Sequence, residues 1–578
     1  MSALRISDGG QVDFLVIGSG AGGLSAAVTA AHLGLKVLVA EKDPQYGGTT
    51  AWSGGWMWIP RNPLATDAGL QEDIEKPLSY LRHELGAQFD EARCRTFLEA
   101  GPRMVEFFRS QTQLQFIDGK GIPDFHGNTP DASLGGRSIC AAPFDGRLLG
   151  EHIKALKPPL PETTLWGMGI ASGAELRHFL NAMRKPASFW HVTKLVLRHG
   201  RDLLVHGRGM RLVNGNALVA GLAASAIDKG VEIRTNAPAK RLLVEQGRVV
   251  GAVLGSPGSP KGDVTVRARC GVVLACGGFP HDVARKKELL PHASSGYEHW
   301  SAASRGNTGD GMRLGETAGG VVAGDLVQSA ALAPVSLVPQ KDSGATHFPH
   351  LIERGKPGLI AVTKDGKRFV NEANSYHDFM QGLLAAIPAG QCVQAWLVCD
   401  HTFIRRYGLG AVKPAPMPLG AMLANGYLQR GNTLADLAQA CGIHASGLQA
   451  TVQRYNQLSA KGKDDDFAKG DTPYNRMQGD ATTAQAMGLP NPCMAPLQRG
   501  PFYAVKVVAG SLGTFAGLHV NDNAQVLDAQ GQPIAGLYAG GNDMRSMMGG
   551  NYPSGGITLG PAMTFGFIAA QHAAGRNL

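Results

Sequence analysis

The sequence predicts an α/β fold, with α+β elements, built around a strand–loop–helix–strand unit at its N-terminus. Three observations indicate this fold. Residues 13–41 (DFLVIGSGAGGLSAAVTAAHLGLKVLVAE) combine two short apolar runs with a glycine-rich turn and an alanine-rich stretch. The 578 residues suffice for two domains or one large one. The 78 glycines, roughly twice the average usage, cluster at the ends of apolar runs, which favours close approach of the backbone to a large ligand.

The first element is the turn between the apolar run 14–17 and the alanine-rich stretch. Its sequence, GSGAGG at 18–23, fits the pattern G-x-G-x-x-G. In that pattern Gly18 makes the tight turn, Gly20 and its neighbour Ala21 admit a pyrophosphate to the backbone, and Gly23 packs the helix against the strand. Glu41 ends the second apolar run, where a carboxylate binds ribose hydroxyls. The unit is therefore predicted to be a Rossmann-like dinucleotide site.

Composition narrows the class of protein. The net charge of +9 and the 44% hydrophobic content are typical of a globular enzyme with a basic surface. No module interleaves basic and aromatic residues, so no nucleic-acid partner is predicted. The eight cysteines form no C-x-x-C pair and no metal-like cluster, which indicates reduced core residues and no metal site. With no evident signal peptide and no run long enough to span a bilayer, the protein is expected to be cytoplasmic.

One local segment, 177–211, is strongly basic. It carries eight Lys or Arg residues against the single acid Asp202, with apolar residues between them. We favour a helical insertion over the core, with its basic face in water. The alternative is a helix that rests on a membrane surface, so peripheral membrane contact stays an open possibility.

The next segment, YGGTTAWSGGWMWIP (46–60), resembles the flavin-lining segment of the fumarate reductase/succinate dehydrogenase flavoprotein family. The resemblance implies FAD rather than NAD. Covalent members of that family carry a histidine that attaches the flavin, and none occurs between Lys42 and Pro60, so noncovalent FAD is implied. The candidate cofactor-binding residues of this segment are Gly48, Thr49, Thr50, Ser53, Gly54 and Gly55.

Later segments continue the resemblance in the same order along the chain. They are 214–222, 231–254, 271–282 (GVVLACGGFPHD), 306–320 and 536–570. The resemblance implies a discontinuous FAD-binding domain (1–321 and 510–578, with a helical insertion at about 126–205) that is interrupted by a smaller catalytic domain (322–509). It adds the cofactor-binding candidates at position 238 (Pro238, in the run APA), Gly277, Gly278, Asp310, Gly541, Asn542, Gly556, Thr558 and Leu559.

The motif NYPSGG (551–556) indicates a branch of that family. Fumarate reductases grip a dicarboxylate with an arginine where this chain has Tyr552. The form Y-P-x-G-G is similar to that of the 3-ketosteroid dehydrogenases, in which the tyrosine hydroxyl and a glycine amide hold the ketone oxygen. The matching groups are Tyr552 and the N–H of Gly556, and two such donors act as an oxyanion hole. Arg545 is nearby but lies outside the motif.

A proton acceptor is implied by the segment GLIAVTKDGKRFVNEANSYHDFM (358–380). It resembles the segment of the same branch that ends in a catalytic tyrosine, and the matching residue is Tyr376. Because an ordinary tyrosine has a pKa of about 10, the site must favour its phenolate.

Two departures from the branch concern the substrate pocket. An aspartate–tyrosine pair of the steroid enzymes reads Asp124-Phe125 here, so the hydroxyl that supports the proton acceptor is lost or replaced. The adjacent His126 can titrate, although a lone histidine is more often structural. Ser554 after Tyr552 resembles enzymes that desaturate 5α-steroids at the 4-position. Trp56, Trp58 and Phe125 suggest a narrow pocket, with Trp56, Phe125 and Ser554 as candidate substrate residues.

The resemblance implies an FAD-dependent desaturase that forms a C=C bond α,β to a ketone, with an external acceptor that reoxidises the flavin. The substrate is a 3-ketosteroid (1-dehydrogenation) or a smaller cyclic ketone. Three alternatives stay open: a 3-keto-5α-steroid 4-dehydrogenase, a fumarate-reductase-like alkene reductase, and a flavin-binding protein without catalysis.

Overall fold

A computed structural model describes residues 10–255, 262–340 and 344–576. The expectation of no signal peptide concerns the start of the chain, which lies partly outside these residues. The strands, in chain order, are β1 (Gly10–Ile17), β2 (Val37–Ala40), β3 (Trp56–Trp58), β4 (Phe116–Asp118), β5 (Ser138–Ala141), β6 (Phe144–Asp145), β7 (Arg211–Leu212), β8 (Glu232–Arg234), β9 (Ala239–Glu245), β10 (Arg248–Leu254), β11 (Val264–Leu274), β12 (Trp300–Ser301), β13 (Ala330–Leu332), β14 (Val335–Pro339), β15 (Ala345–Pro349), β16 (Leu359–Val362), β17 (Gln394–Cys399), β18 (Gln429–Gly431), β19 (Phe502–Val508), β20 (Gly510–Thr514), β21 (Gln525–Leu527) and β22 (Pro533–Ala539).

The α-helices alternate with these strands along much of the chain. They are α1 (Ala21–His32), α2 (Pro63–Asp67), α3 (Glu75–Leu85), α4 (Glu91–Gln111), α5 (Ala174–Asn181), α6 (Pro186–His206), α7 (Asn214–Asp228), α8 (Val283–Leu289), α9 (Asp310–Thr317), α10 (Tyr376–Ala386), α11 (His401–Tyr407), α12 (Gly420–Ala424), α13 (Leu434–Cys441), α14 (Ala445–Lys461), α15 (Pro473–Gln478), α16 (Ala481–Ala486) and α17 (Leu559–Ala573).

The largest sheet contains the predicted N-terminal unit. Its order is β21-β22-β11-β1-β2-β8, and the hairpin β9–β10 joins it through β11. β1 pairs in parallel with β2 and β11, and β11 pairs in parallel with β22. The C-terminal strand β22 therefore lies beside strands from the first half of the chain. The carboxyl ends of β1, β11 and β22 meet at one edge of the sheet, where ligands bind in open α/β folds.

The C-terminal helix α17 packs closely on α1. A Cβ on Gly566 would lie 2.3 Å from the carbonyl oxygen of Gly22, and Ser25 donates a hydrogen bond to the carbonyl of Met563 at 2.7 Å. The glycine thus allows backbone-to-backbone contact between the two helices. Both helices begin at the same edge of the sheet, so their N-termini face a common space.

A second sheet is formed by strands that lie, in the sequence, between the N-terminal and C-terminal strands of the first sheet. Its order is β15-β14-β19-β17-β16, with β18 paired to β19, and every pairing is antiparallel. The three-stranded sheet β12-β20-β13 contains strands from either side of the second sheet in the sequence. The predicted mixture of parallel α/β and antiparallel elements is therefore present, while the domain boundaries at 321/322 and 509/510 stay a prediction.

The cysteines are free, and the expectation that they lie in the core is wrong for Cys392, whose side chain is exposed. Cys392 follows the turn before β17, where the chain lies at the surface. In the described part of the chain, no helix is both long enough and apolar enough to cross a bilayer.

Candidate active site

The glycine turn after β1 is shaped by contacts that exclude a side chain. A Cβ on Gly18, whose φ is +104°, would lie 2.1 Å from the carbonyl oxygen of Ala275. A Cβ on Gly23 would lie 2.1 Å from the carbonyl oxygen of Gly18. A Cβ on Gly20 would have the Thr50 hydroxyl oxygen as its nearest neighbour from another part of the chain, 3.4 Å away. Gly18 and Gly23 thus permit the turn itself, whereas Gly20 leaves the N-terminus of α1 open to a ligand.

Glu41 lies at the end of β2 and is buried. Its carboxylate accepts hydrogen bonds from the amides of Ser19 at 3.2 Å and Asp43 at 2.9 Å, while burial raises its pKa. The next residue, Lys42, forms an ion pair with Asp310 at the start of α9. Asp310 is therefore placed at the Glu41 end of the site, and its carboxylate is held by a protein cation.

The hydroxyls of the segment after β2 bind other parts of the protein. Thr50 accepts a hydrogen bond from the Ala21 amide at 3.0 Å, and Thr49 accepts one from the Ser304 amide at 2.9 Å. Ser53 donates to the carbonyl of Thr50 at 2.7 Å. These bonds fix the backbone of 48–55 along the N-terminus of α1.

Asp543 was not among the residues singled out from the sequence, yet it joins two glycine loops. Its buried carboxylate accepts hydrogen bonds from the amides of Cys276 and Gly278, the latter at 2.9 Å. Burial raises the pKa of Asp543 to about 6. Gly278 has a φ of +76°, and a Cβ there would lie 2.0 Å from the Thr514 hydroxyl oxygen. The run GGND at 540–543 carried the signal, since an acid beside glycines can bind loop amides.

These segments surround one continuous cavity of about 1460 Å³. Most of the predicted cofactor residues line it, namely Gly18, Gly20, Ala21, Glu41, Gly48, Thr49, Thr50, Ser53, Gly54, Gly55, Gly277, Asp310, Gly541, Asn542, Gly556, Thr558 and Leu559. Gly23, Pro238 and Gly278 lie outside its wall, although Ala237 and Ala239 on either side of Pro238 line it. The open amides at the N-terminus of α1 and the acid at the end of β2 fit a dinucleotide, and the length of the cavity beyond them fits a flavin.

A cluster of aromatic side chains lines the same cavity. The Tyr376 and Tyr552 rings lie 5.0 Å apart at an interplanar angle of 80°, close enough for each phenol to act on the pKa of the other. Thr558 lines the same cavity and lowers the pKa of Tyr552. Phe125 stacks on Tyr552 at 5.8 Å and packs edge-on against Tyr376 at 5.6 Å. The structure therefore brings together both tyrosines and the phenylalanine of the sequence prediction.

Gly556 adds a backbone donor to this cluster. Its φ is +102°, and a Cβ there would lie 2.6 Å from the amide nitrogen of Trp58, so only glycine fits. Its carbonyl accepts a hydrogen bond from that Trp58 amide at 3.1 Å. Within the described chain no group accepts a hydrogen bond from the Gly556 amide, which lies at the cavity wall with Tyr552.

The pKa of Tyr376 is raised by some of its neighbours and lowered by others. Burial, followed by the neighbouring Tyr552, raises the pKa of Tyr376 well above its ordinary value, while Arg354 lowers it. Arg354 is buried and donates to the carbonyls of His350 at 3.0 Å and Glu372 at 2.8 Å. None of the described carboxylates forms an ion pair with it, so its charge acts on the nearby phenols. No motif in the sequence points to this arginine.

Tyr474, at the start of α15, is a third tyrosine of the cluster, and the sequence analysis did not predict it. Its ring lies 4.4 Å from Phe125, and its hydroxyl accepts a hydrogen bond from the Gln478 side chain at 2.7 Å. Burial raises its pKa to about 12. Tyr474 lines the cavity, so a phenol from the middle of the chain stands beside the phenylalanine that replaces the supporting tyrosine.

His126 links the Phe125 segment to Glu84 and to Asp378 of α10, an arrangement that we call the His126 clamp. Its ring bonds to the carboxylates of Glu84 and of Asp378, the latter at 3.0 Å. Burial opposes a charge on the ring, but the two carboxylates prevail and raise the pKa of His126 to about 10. Because Asp378 lies two residues after Tyr376, the clamp fixes the Phe125 segment against α10.

Two pocket expectations need correction. Ser554 is fully buried and does not line the cavity, because the chain bends there into the turn before α17. Trp58 is also fully buried, where it donates to Asp124 at 2.9 Å and stacks on Phe97. Trp56 and Phe125 do line the cavity. The bulk that narrows the pocket therefore comes from Trp56, Phe125 and Tyr474.

Comparison with known proteins agrees with this geometry. A family model described as "FAD binding domain" matches residues 13–559. The chain is 38% identical over 564 residues to 4-oxocyclohex-2-ene-1-carboxylate 5-dehydrogenase of Sinomonas cyclohexanicum, covering 97% of this chain and 93% of that protein. It is 34% identical over 582 residues to 3-oxosteroid 1-dehydrogenase of Mycolicibacterium smegmatis, covering 97% of each.

A solved structure shows the same fold. The 3-ketosteroid delta1-dehydrogenase from Sterolibacterium denitrificans, in complex with 1,4-androstadiene-3,17-dione, superposes with a TM-score of 0.89 at 36% identity. The alignment covers 98% of this chain and 99% of that one.

Proposed function

The chain belongs to the FAD-binding domain family, and from this premise we propose that it is an FAD-dependent dehydrogenase that forms a C=C bond α,β to the carbonyl of a cyclic ketone. The observation that carries the proposal is the contact between the Tyr376 and Tyr552 rings, 5.0 Å apart, beside the Gly556 amide at one cavity wall. We assign the cofactor to 1–321 and 510–578, and the proton acceptor to the interrupting region 322–509.

FAD is the cofactor, and we infer that it is bound noncovalently. The support is the absence of histidine from 42–60, the segment that runs along the cavity wall beside the N-terminus of α1. The bound flavin supplies an acceptor for the hydride that leaves the β-carbon of the substrate. An external electron acceptor must then reoxidise it.

Tyr552 and Gly556 bind the carbonyl oxygen. As the α-proton leaves, negative charge grows on that oxygen, and two donors in a buried site stabilise it. The Tyr552 ring is held in place by packing against Phe125 and Tyr376, and the Gly556 amide is fixed by its left-handed turn. Both donors are thus positioned before the substrate arrives.

Tyr376 accepts the α-proton in its phenolate form. Burial disfavours that form, so the buried charge of Arg354 is needed to offset part of the penalty. The proton moves to the Tyr376 oxygen, the C–H electrons form the enolate, and its collapse forms the C=C bond as the hydride leaves the β-carbon.

The relatives indicate the class of substrate. One is named for a monocyclic oxo-carboxylate and the others for 3-oxosteroids. The packing of Phe125 between Tyr474 and Tyr552 narrows the space beside the reacting carbon and favours a monocyclic ketone over a steroid. The 4-dehydrogenase alternative loses its support, since Ser554 lies outside the cavity wall. The alkene-reductase alternative lacks an arginine at position 552.

Anaerobic mixing of the purified yellow protein with ring ketones tests the proposal. Bleaching of the flavin by monocyclic ketones is expected. If chemically reduced protein is instead reoxidised by fumarate-like acids and no ketone bleaches it, the desaturase function is wrong and the reductase alternative holds. If neither occurs, the non-catalytic alternative holds.

A second proposal concerns α6, which we suggest rests on an anionic membrane surface. Trp190, Leu197 and Leu204 are seven residues apart, so they share one helix face, and their exposed fractions are 61%, 69% and 90%. Val192 and Val196, also on α6, line the cavity. We expect the protein to sediment together with anionic vesicles and the Leu204→Ser variant to stay in the supernatant. If the same amount of protein sediments with neutral vesicles, or without vesicles, as with anionic vesicles, the proposal is wrong.

A further inference from the structure

Lys356 places an ammonium group in the cavity without an acidic partner. Its Nζ donates to the carbonyls of Gln478 at 2.6 Å and Gly479 at 2.8 Å, and its side chain lines the cavity. In the described part of the chain, no carboxylate lies within 4.0 Å of this nitrogen. An ammonium has three donors, so one remains for a ligand.

The charged groups around Lys356 do not neutralise it. Asp480 is bound to Arg406 at 3.1 Å and to the Tyr407 hydroxyl at 2.9 Å, and Glu353 is bound to His350. Arg177, on α5, adds a second cation at the cavity wall. Burial lowers the pKa of Lys356 to about 8; Asp480, Cys493 and Glu353 act to raise it, and Arg177 lowers it further. The pair of cations therefore lacks an anion.

The helix α15 connects this ammonium to the reaction centre. Tyr474 at its start contacts Phe125, whose ring stacks on Tyr552. Gln478 at its end supplies a carbonyl to Lys356. Four residues along a helix span about 6 Å. The ammonium thus lies about one helical turn beyond Tyr474, and the same helix carries both the contact with Phe125 and the carbonyl that binds Lys356.

We propose that Lys356, assisted by Arg177, is an anion subsite that binds a carboxylate on the substrate ring opposite the ketone. This rests on the proposed function and names its substrate class as a monocyclic oxo-carboxylate. Tyr552 and Gly556 bind the ketone end and Lys356 the acid end, so the ring is held at both ends. A charge-assisted hydrogen bond of this kind is stronger than one between neutral groups.

Capping of a helix explains only part of the arrangement. An ammonium near the last carbonyls of a helix is favourable, and Lys356 does bind the carbonyls that follow α15. That role uses two donors and needs no second cation nearby. It also predicts no preference among substrates, which separates it from the anion subsite.

Kinetics with a matched acid and ester test the subsite. Flavin reduction in the holoenzyme is followed with 4-oxocyclohexane-1-carboxylate and with its methyl ester. For the acid, Lys356→Met is expected to raise KM about 10- to 100-fold, while the KM for the ester changes little. Lys356→Arg keeps the preference for the acid. Lys413→Met, which removes another cavity-lining ammonium, serves as the control. Equal losses for acid and ester in Lys356→Met would overturn the proposal.

A binding measurement separates the subsite from the proposed function. The oxidised holoenzyme is titrated with 4-hydroxybenzoate and with phenol, neither of which can be desaturated, and the flavin absorption is recorded. The acid is expected to bind more tightly, with an advantage that Lys356→Met removes and that declines above about pH 8 as Lys356 loses its proton. If acid and phenol bind equally, the subsite is wrong even where ketones bleach the flavin. If the advantage is present and no ketone bleaches the flavin, the subsite stands and the desaturase function fails.

Discussion

The rings of Tyr376 and Tyr552 stand 5.0 Å apart and nearly perpendicular, and each phenol acts on the pKa of the other. Tyr376 begins α10, and Tyr552 lies in the loop before α17, so the pair forms only when the two regions meet. One phenol is assigned to the ketone oxygen and the other to the α-proton. In the proposed function this contact brings donor and acceptor to neighbouring atoms of a single substrate, as proton removal next to a carbonyl requires.

Replacing Tyr552 with phenylalanine removes one oxyanion donor and keeps the ring packing on Phe125. We expect the rate of flavin reduction by a cyclic ketone to fall on the order of 100-fold or more. Stopped-flow absorbance under anaerobic conditions measures it. Tyr455→Phe is the control, since that hydroxyl is buried in another cluster without a partner among the described residues. An unchanged rate in Tyr552→Phe would mean that the side chain only packs.

The ionisation of Tyr376 should control the pH dependence of the reaction. Because its pKa is raised, the phenolate fraction and hence the rate of flavin reduction should increase with pH through the alkaline range. Arg354 lowers that pKa, so Arg354→Met should move the profile to higher pH, whereas Arg354→Lys keeps a charge and shifts it less. Circular dichroism checks that both variants fold. Parallel profiles for wild type and Arg354→Met would exclude this role.

Many residues of this site could be predicted from short sequence motifs, and the others could not. The turn 18–23, Glu41 and the run 551–556 could be predicted because glycine conformation and ligand chemistry constrain neighbouring residues. Tyr474 and Arg354 carry no such pattern, since each acts through a contact that only the fold creates. The resemblance assigns Ser554 to the pocket, but this segment bends and the buried side chain lies outside the cavity wall.

Restoring a hydroxyl at position 125 tests how the chain works without the supporting tyrosine. Phe125 packs edge-on against Tyr376, so Phe125→Tyr places a phenol beside the proton acceptor. A donor to the phenolate lowers its pKa, and the pH profile of flavin reduction should therefore move to lower pH. The matched variant Tyr474→Phe removes a phenol that raises the pKa of Tyr376, so it should also move the profile to lower pH. No shift in either variant would show that neither position supports Tyr376.

The His126 clamp should contribute pH-dependent stability. Its folded pKa of about 10 lies above the unfolded value near 6.5, so the contribution is complete below about pH 6.5 and is lost as pH rises through about 10. His126→Gln should lower Tm by a few degrees at neutral pH, with the difference from wild type closing towards pH 10. Differential scanning calorimetry measures both. His83→Gln, at an exposed position, should show no such trend. A constant difference at every pH would contradict the charged clamp.

Gly20 and Gly23 belong to one turn but should respond differently to alanine. At Gly23 a Cβ would lie 2.1 Å from the carbonyl oxygen of Gly18, so Gly23→Ala must displace β1 or α1 and should reduce the yield of folded protein. At Gly20 the nearest protein atom is 3.4 Å away and the backbone φ is −74°, so Gly20→Ala should fold. Its methyl group would instead point towards the cofactor phosphates.

We therefore expect Gly20→Ala to bind FAD at least about tenfold more weakly, the loss that follows when one charge-assisted hydrogen bond is displaced. The ratio of FAD to protein after dilution, together with the melting curve of the apoprotein, distinguishes the two effects. A Gly20→Ala protein that retains FAD as wild type does would show that the pyrophosphate does not approach this amide. An apoprotein that unfolds as readily as Gly23→Ala would show that the backbone at position 20, and not the ligand, requires glycine.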